Sequence, residues 1–448
     1  MATERRRRSG DKKPKNKKAS RKQTPATGPT SVHDVPDHVL ELILLLLRSP
    51  ACLLRAAASC KRWRRVVAAA EFLSRYGSLH APSVVAGHYH ASDPDWVEYG
   101  LPSITVTESP VFVPSPSLAV DTRRFSLDFL PDSDSGWAVA DSRGSLLLLF
   151  KRRTGWAARA YSHSLPDLLV CEPLTRRYQG VLRPERACFC LGVFLLDGDG
   201  DGSGGRRIRM SNFRVVAVLH EYDISGDGRG TPVACVFSSG SDGGWRVQRS
   251  TLTTHSAVVS LPGDVECISF AGRANGSRYW VIDEDDGAML VFDEATMEFS
   301  RVPFPTGGIE GDESSYDRWS FRVIGGDDGA PRVVRMMSNE LMVLGQEKHH
   351  QGGGSWVVEK LVRLPEATVG LPGREDRFFQ QNAMIVAAHD TYVLVTPQVK
   401  TWLISVELKT MHMEREHGRN KYAGAAYASE LPWPPSFTAC AEHSRRRR

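Results

Sequence analysis

Residues Val35–Phe72 read VPDHVLELILLLLRSPACLLRAAASCKRWRRVVAAAEF. Three short helical patterns are packed into this stretch. Pro36 suits the start of a helix, where its missing N–H would be unpaired anyway. Asp37 follows in the first turn, where the helix dipole favours negative charge. Val39, Leu42, Ile43, Leu46 and Leu47 recur at spacings of three and four and so share one face. Leu40, Leu44 and Leu45 lie off that stripe, which makes the helix apolar nearly all round and in need of cover on more than one side. Arg48-Ser49-Pro50 ends it, because the residue before a proline is pushed away from helical geometry. A second helix is expected over residues 51–58, with Leu53, Leu54, Ala57 and Ala58 apolar. Ser59 is the N-cap expected for a third, over residues 60–70, in which Trp63, Val66, Val67 and Ala70 share a face. A segment this small cannot bury all its leucines against itself, so it leans on the rest of the chain or on another protein. Its length argues against a membrane span, because residues 39–47 include Glu41 and fall short of the ~20 apolar residues a span needs.

These residues resemble an F-box, the adaptor-binding module of SCF ubiquitin ligases. The family pattern opens with Leu-Pro, continues with Leu and Ile-Leu pairs, and closes with Val-Cys-Lys-x-Trp. Here it reads Val35-Pro36, Leu40, Ile43-Leu44, Leu53-Leu54 and Ser59-Cys60-Lys61-Arg62-Trp63. Val35 replaces the usual leucine, and Leu46 and Arg48 stand where many plant members have Arg and Pro. The resemblance implies that Val35, Pro36, Leu40, Ile43, Leu47, Leu53, Leu54, Cys60 and Trp63 fill or frame a groove on a Skp-type adaptor, itself held by a cullin scaffold. Apolar anchors supply most of the affinity in such helix-in-groove contacts.

At 448 residues, one small module and one large domain are expected. The net charge of +5 is unevenly spread. Residues 1–30 carry eleven Lys/Arg and two acids, residues 442–448 carry four Arg and one Glu, and residues 31–441 are left at −7. The basic arm, residues 1–30, contains RRRRSGDKKPKNKKASRK and has too little apolar content to fold alone, as does the basic tail, 436–448. The arm reads as a solvated tail, a nuclear import signal or a phosphate contact. None of the eight cysteines forms a Cys-x-x-Cys pair, and no His-x-x-x-His accompanies them, so no metal site is expected. The first residues are too basic for a secretory signal, which points to reduced thiols and to the nucleus or cytoplasm.

From His80 to Pro435 the pattern changes. Short β-branched and aromatic runs are punctuated by Gly, Pro and Asp, the signature of strands. Nine runs stand out: residues 136–140, 146–150, 213–219, 233–237, 279–282, 289–292, 333–336, 356–361 and 392–396. Hairpins are expected around Asp141-Ser-Arg-Gly144 and around residues 283–287, where glycine supplies positive φ. Trp96, Trp137, Trp245, Trp280, Trp319, Trp356 and Trp402 recur at spacings near forty. Blade repeats run ~40–50 residues, so the region would hold about seven or eight blades of a β-propeller, with a β-sandwich pair as the other all-β solution. The expected fold class is therefore multidomain: a small three-helix α module followed by a large antiparallel all-β domain. The phrases Val139–Leu149, Val170–Arg177, Phe213–Ala217 and Val236–Ser239 resemble the β-rich associated domain that follows the F-box in plant families. That resemblance implies a substrate receptor over residues 80–435.

Several constellations look chemical and fail on inspection. Asp197-Gly-Asp-Gly-Asp-Gly202 imitates half an EF-hand loop, but its twelfth position is Ile208, where a bidentate Glu is required. Residues 283–287 fail the same test. Ser241-Asp-Gly-Gly-Trp245 reads as a turn, and His349-His350 as a loop. No Gly-x-Ser-x-Gly or P-loop occurs, so no catalytic residue and no cofactor are assigned. Three readings follow. The leading one is a non-catalytic substrate-recognition subunit of an SCF-type ubiquitin ligase, with an unknown target and unknown substrate-binding residues. The others are a propeller-fold enzyme, and a nuclear nucleic-acid-associated protein that uses the basic arm.

Overall fold

The computed structural model describes residues 35–47, 49–80, 84–90, 109–115, 120–131, 136–151, 166–183, 188–197, 208–222, 229–240, 244–248, 259–282, 288–303, 320–326, 328–346, 356–397, 402–415 and 426–431. The basic arm and tail, Arg48, Trp96, Trp156, Trp319, residues 198–202, 241–243 and 283–287, His349-His350 and Cys440 lie outside them. The chain divides into two compact units between His80 and Ala81. Among the described residues, no helix is long and apolar enough to cross a membrane.

The first unit contains four helices where three were expected: α1 (Asp37–Leu45), α2 (Pro50–Ser59), α3 (Lys61–Val67) and α4 (Ala70–His80). Proline opens α1 and α2 as their sequences imply, with Pro36 as the cap of one and Pro50 as the first residue of the other. Ser59 closes α2 instead of capping α3. Cys60 takes the cap position, and its Sγ accepts the Trp63 N–H at 3.4 Å. The run expected as one helix over 60–70 breaks at Ala68-Ala69, and a fourth helix begins at Ala70.

The second unit is built of antiparallel strands in six groups among the described residues. Each of the nine runs falls on a strand, with Gly136 and Phe213 one residue ahead of theirs. β1 (Val85–His90) lies between β2 (Val111–Pro114) and the last strand, β23 (Ala426–Glu430). Four-stranded meanders follow. The first is β3 (Trp137–Arg143), β4 (Leu146–Lys151), β5 (Leu168–Glu172) and β6 (Arg177–Val181). The next is β7 (Phe189–Leu196), β8 (Arg214–Tyr222), β9 (Gly230–Ser238) and β10 (Arg246–Gln248). Then come β11 (Ile268–Ala274), β12 (Ser277–Ile282), β13 (Ala288–Asp293) and β14 (Phe299–Pro303). They are joined edge to edge to β15 (Phe321–Gly325), β16 (Pro331–Met337), β17 (Glu340–Gln346) and β18 (Trp356–Arg363). The last meander is β19 (Ala383–Ala388), β20 (Tyr392–Pro397), β21 (Ile404–Glu407) and β22 (Met413–Arg415).

The groups pack face to face in a cyclic order. Neighbouring strands run β23–β3–β7–β11–β15–β19 and back to β23. Six apolar layers separate the groups. Leu148, Val170, Val215 and Cys235 fill the one between the first two meanders, and Val386, Leu394 and Leu403 meet Ala426 in the one that returns to the β23 group. Among the described residues no hydrogen-bonded sheet closes on itself, and apart from the β11–β15 bridge side-chain burial carries the order round. First strands share a device that the sequence pattern does not announce. β3, β7, β11 and β19 each carry a bulge, between Val139/Asp141, Cys190/Gly192, Phe270/Gly272 and Ile385/Ala387. A bulge raises the local twist, which suits strands crowded together. Gly272, at φ 145°, makes the one parallel bridge between meanders among the described residues, to Val323, where a Cβ would overlap the Val323 carbonyl.

The tryptophan spacing does not follow the strand groups. β3, β7, β11, β15 and β19 begin at residues 137, 189, 268, 321 and 383, at intervals of 52 to 79 rather than near forty. Trp137 starts a first strand, Trp280 lies in a second, Trp402 precedes a third and Trp356 starts a fourth. They are therefore not equivalent positions, and the described residues form six groups, where seven or eight blades were expected. The first hairpin turns at Gly144-Ser145, one pair later than Asp141–Gly144 suggested, because Arg143 pairs with Leu146 and Gly144 has φ 59°. Asp197, the first residue of the run that imitates an EF-hand loop, accepts a hydrogen bond from Arg143 at 2.7 Å.

The return of β23 to β1 buries two histidines, His88 and His90, 5% and 1% exposed. His88 Nε2 meets the Tyr392 hydroxyl on β20 at 2.5 Å. Burial, and then His389, lowers His88 from the ordinary 6.5 to about 4; burial, and then His88, lowers His90 to about 3. Both remain neutral in the folded protein at pH 5. The unfolded chain takes up protons below about pH 6.5 that the folded chain refuses, so stability is full above that value and falls as pH drops towards 4 and 3. The urea midpoint of the β unit is expected to be lower at pH 5 than at pH 7.5, with the gap reduced in His90→Gln. An equal gap in parent and variant would refute that assignment.

Candidate functional site

Helix α1 is apolar on two sides, and the helical unit uses one of them for itself. Leu40, Leu44 and Leu45 are buried with Leu53 and Ala57 of α2, Val67 of α3, and Phe72, Leu73 and Tyr76 of α4. Full burial of a leucine contributes about 1.5–3 kcal/mol, so these side chains hold the unit together. Polar contacts fix the two ends of α1. At its start, Arg62 Nε donates to Asp37 at 2.8 Å, Arg65 reaches the other carboxylate oxygen at 3.2 Å, and Arg62 also donates to the Val35 carbonyl. The Arg62 hydrogen bond, above all, holds the Asp37 carboxyl below the usual carboxylate range. At its end, no glycine terminates the helix. The Tyr76 hydroxyl donates to the Leu47 carbonyl at 2.6 Å, and His80 Nε2 meets the Leu45 carbonyl at 2.6 Å. Helix α4 thus satisfies carbonyls that a helix end leaves open. Glu41 pairs with Arg75 at 2.5 Å on the flank.

The other apolar side of α1 faces outwards. Leu42, Ile43 and Leu46 are 54%, 48% and 78% exposed, a contiguous stripe at spacings of one, three and four. An exposed stripe of large aliphatic side chains is a mark of an interaction surface. Among the residues that the resemblance assigned to an adaptor groove, Pro36 and Ile43 are exposed, and Val35, Leu47, Leu54, Cys60 and Trp63 are half-buried. Leu40 and Leu53 are 2% and 0% exposed. Both lie in the core of the helical unit, beneath its exposed side chains. Leu42 and Leu46 lie with Ile43 on the accessible face, and the steps of one, three and four among them were the available signal.

Residues 32–75 match the F-box-like family model. The segment is an F-box-like domain. F-box domains bind Skp-type adaptors within SCF complexes, and F-box proteins are generally non-catalytic substrate adaptors. In this F-box-like domain the matched residues end within α4, whose Phe72, Leu73 and Tyr76 complete the core. No curated protein matches the chain. Among solved structures it is similar to "YCF48 bound to D1 peptide", at 10% identity and a TM-score of 0.29, with 64% of this chain and 68% of that chain covered.

The β unit offers a second candidate surface, a cavity of about 490 Å³ walled by the first strands β3, β11, β15 and β19 and by β23. Its charged groups are mostly engaged. Arg278 forms an ion pair with Glu294 at 2.9 Å and donates to the Leu195 carbonyl at 2.8 Å, and Asp141 lies 3.5 Å away. Arg143 bonds Glu294 at 3.0 Å and Asp197 at 2.7 Å. Arg322 donates to the Phe321 and Ile385 carbonyls, and Asp390 accepts from the Gly325 N–H at 2.9 Å. Burial pushes His389 below its ordinary range despite the pull of Asp390 and Glu430. Arg273 and Glu430 also line this wall. Among the described residues, no group of three or more His, Cys, Asp or Glu could hold a metal ion.

Proposed function

We propose that this chain is the substrate-recognition subunit of an SCF-type ubiquitin ligase. The F-box-like domain docks on a Skp-type adaptor carried by a cullin scaffold, and the β unit, as a six-bladed propeller, holds a target protein. The observation that carries this reading is the F-box-like match over residues 32–75, on a unit whose α1 leaves Leu42, Ile43 and Leu46 outside its own core. The propeller form is supported by the six apolar layers and by the pairing of β1 with β23, which brings the two ends of the unit into one sheet. A propeller leaves only short protected edges, a sound base for binding loops.

The mechanism is proximity. Tethering a target beside a charged ubiquitin-transfer centre raises its effective concentration there, so the receptor needs no reacting group of its own. The test is affinity capture with the proteasome blocked, comparing the full chain with one lacking residues 31–75. Adaptor and cullin are expected with the full chain and not with the deletion, and targets with both. Adaptor retained by the deletion would overturn the use of this segment.

A further inference from the structure

Two opposite charges in the β unit face one cavity without meeting. Arg273 lies at the end of β11 and Glu430 at the end of β23, and both line the cavity. In the cyclic order β23–β3–β7–β11–β15–β19 these strands are three steps apart, on opposite walls. Among the described residues, neither side chain has a hydrogen bond or an ion pair. The other cationic and anionic groups of the wall are engaged with partners from the chain itself. Holding a charge in a half-enclosed site without a partner is costly, and a ligand of opposite charge removes that cost. Both charges can be satisfied at once by a ligand that carries an anion and a cation. The cavity volume falls within the ~300–1,000 Å³ of ligand sites, and Phe270 and Tyr427 add aromatic surface to its wall.

We propose that this cavity is the target-binding site, and that it takes a peptide segment bearing an acidic group and a lysine or arginine close together, the acid on Arg273 and the base on Glu430. This deepens the receptor reading above and rests on it. Guanidinium forks bind carboxylate or phosphate equally well in geometric terms, so the acid is a Glu or Asp side chain or a phosphorylated serine.

The test is selection of random nine-residue peptides displayed on phage against the immobilised full-length chain. Selected peptides are expected to be enriched in an acid and a base within a few positions of each other. The best of them, synthesised with blocked ends, is expected to bind at least tenfold more weakly to Arg273→Gln and to Glu430→Gln, both of which are expected to keep the parent melting temperature because, among the described residues, neither side chain has a hydrogen bond or an ion pair to lose. Replacing the peptide's acid by glutamine should then cost little further in Arg273→Gln. A version with phosphoserine in place of the acid separates the two sources: tighter binding that depends on Arg273 assigns phosphate, and weaker binding assigns carboxylate. Selection of uncharged peptides, no enrichment, or affinity indifferent to both substitutions would overturn the proposal. Adaptor capture by the same preparations is measured in parallel. Capture without charge selection sinks the cavity assignment alone, whereas failed capture sinks the ligase reading.

Discussion

Replacing Ile43 and Leu46 together by lysine is expected to abolish capture of a Skp-type adaptor while leaving both units folded. The two side chains are 48% and 78% exposed and lie three residues apart on the outer face of α1. Lysine is chosen for a physical reason. These positions sit near the C-terminus of the helix, where the dipole favours a cation, so the substitution places charge in the apolar contact without weakening the helix. Central apolar anchors cost ~2 kcal/mol or more each when lost from an interface, and a pair would lower affinity by at least roughly a thousandfold. Leu40→Ala behaves differently. Leu40 is 2% exposed, and removing a buried leucine costs about 2–5 kcal/mol, which a unit this small can barely withstand. Loss of adaptor binding in Leu40→Ala would therefore be accompanied by loss of helical signal, and in the lysine pair it would not. Full capture by the folded lysine pair would show that the stripe is not the docking face.

Arg278→Ala is expected to destabilise the β unit by about 3–5 kcal/mol, the cost of breaking a buried ion pair by removing one partner. Arg278 is 1% exposed, and its guanidinium lies 4.3 Å from the centre of the Phe194 ring. It touches three groups of strands at once: its own through Glu294, the β3 group through Asp141, and the β7 group through the Leu195 carbonyl. Alanine leaves Glu294, 9% exposed on its side chain, with Arg143 alone, and leaves the Leu195 carbonyl with one donor instead of two. Arg278→Lys keeps the charge but cannot reach three partners with one planar fork, so it should fall between parent and alanine variant. Thermal unfolding of the β unit measures the order. Identical melting in all three proteins would rule out this network as a structural tie.

How far a sequence reading reaches is clearest in α1. Its ends were legible because proline acts locally, through its missing N–H and its ring, at Pro36 and Pro50. Its apolar character was equally plain. Which apolar side faced inwards was not, because a helix with leucines on every side has no periodic pattern that separates core from contact. Leu40 and Ile43 are of the same residue class, and their roles differ only through α3 and α4, which set Val67, Phe72 and Tyr76 on one side. That helix was hidden in a run of alanines whose break at residues 68–69 carries no glycine or proline.

The β unit divides in the same way. The strands were readable from β-branched runs bounded by turn residues, since strand formation depends on near neighbours. The blade count was not, because tryptophan fills different positions in different groups, and the long connections stretch the interval between first strands. Arg273 and Glu430 are 157 positions apart and look in the sequence like ordinary surface charges. By itself, then, the sequence determined the helical module with its family likeness, the β character of the rest, and the places where the chain turns, all consequences of local sterics and hydrogen bonding. The tertiary structure alone decided which leucines remain free for a partner, that six groups of described strands follow one another in a cycle, and which charges face one cavity. Those outcomes depend on which distant side chains exclude water together, and no local spacing encodes that.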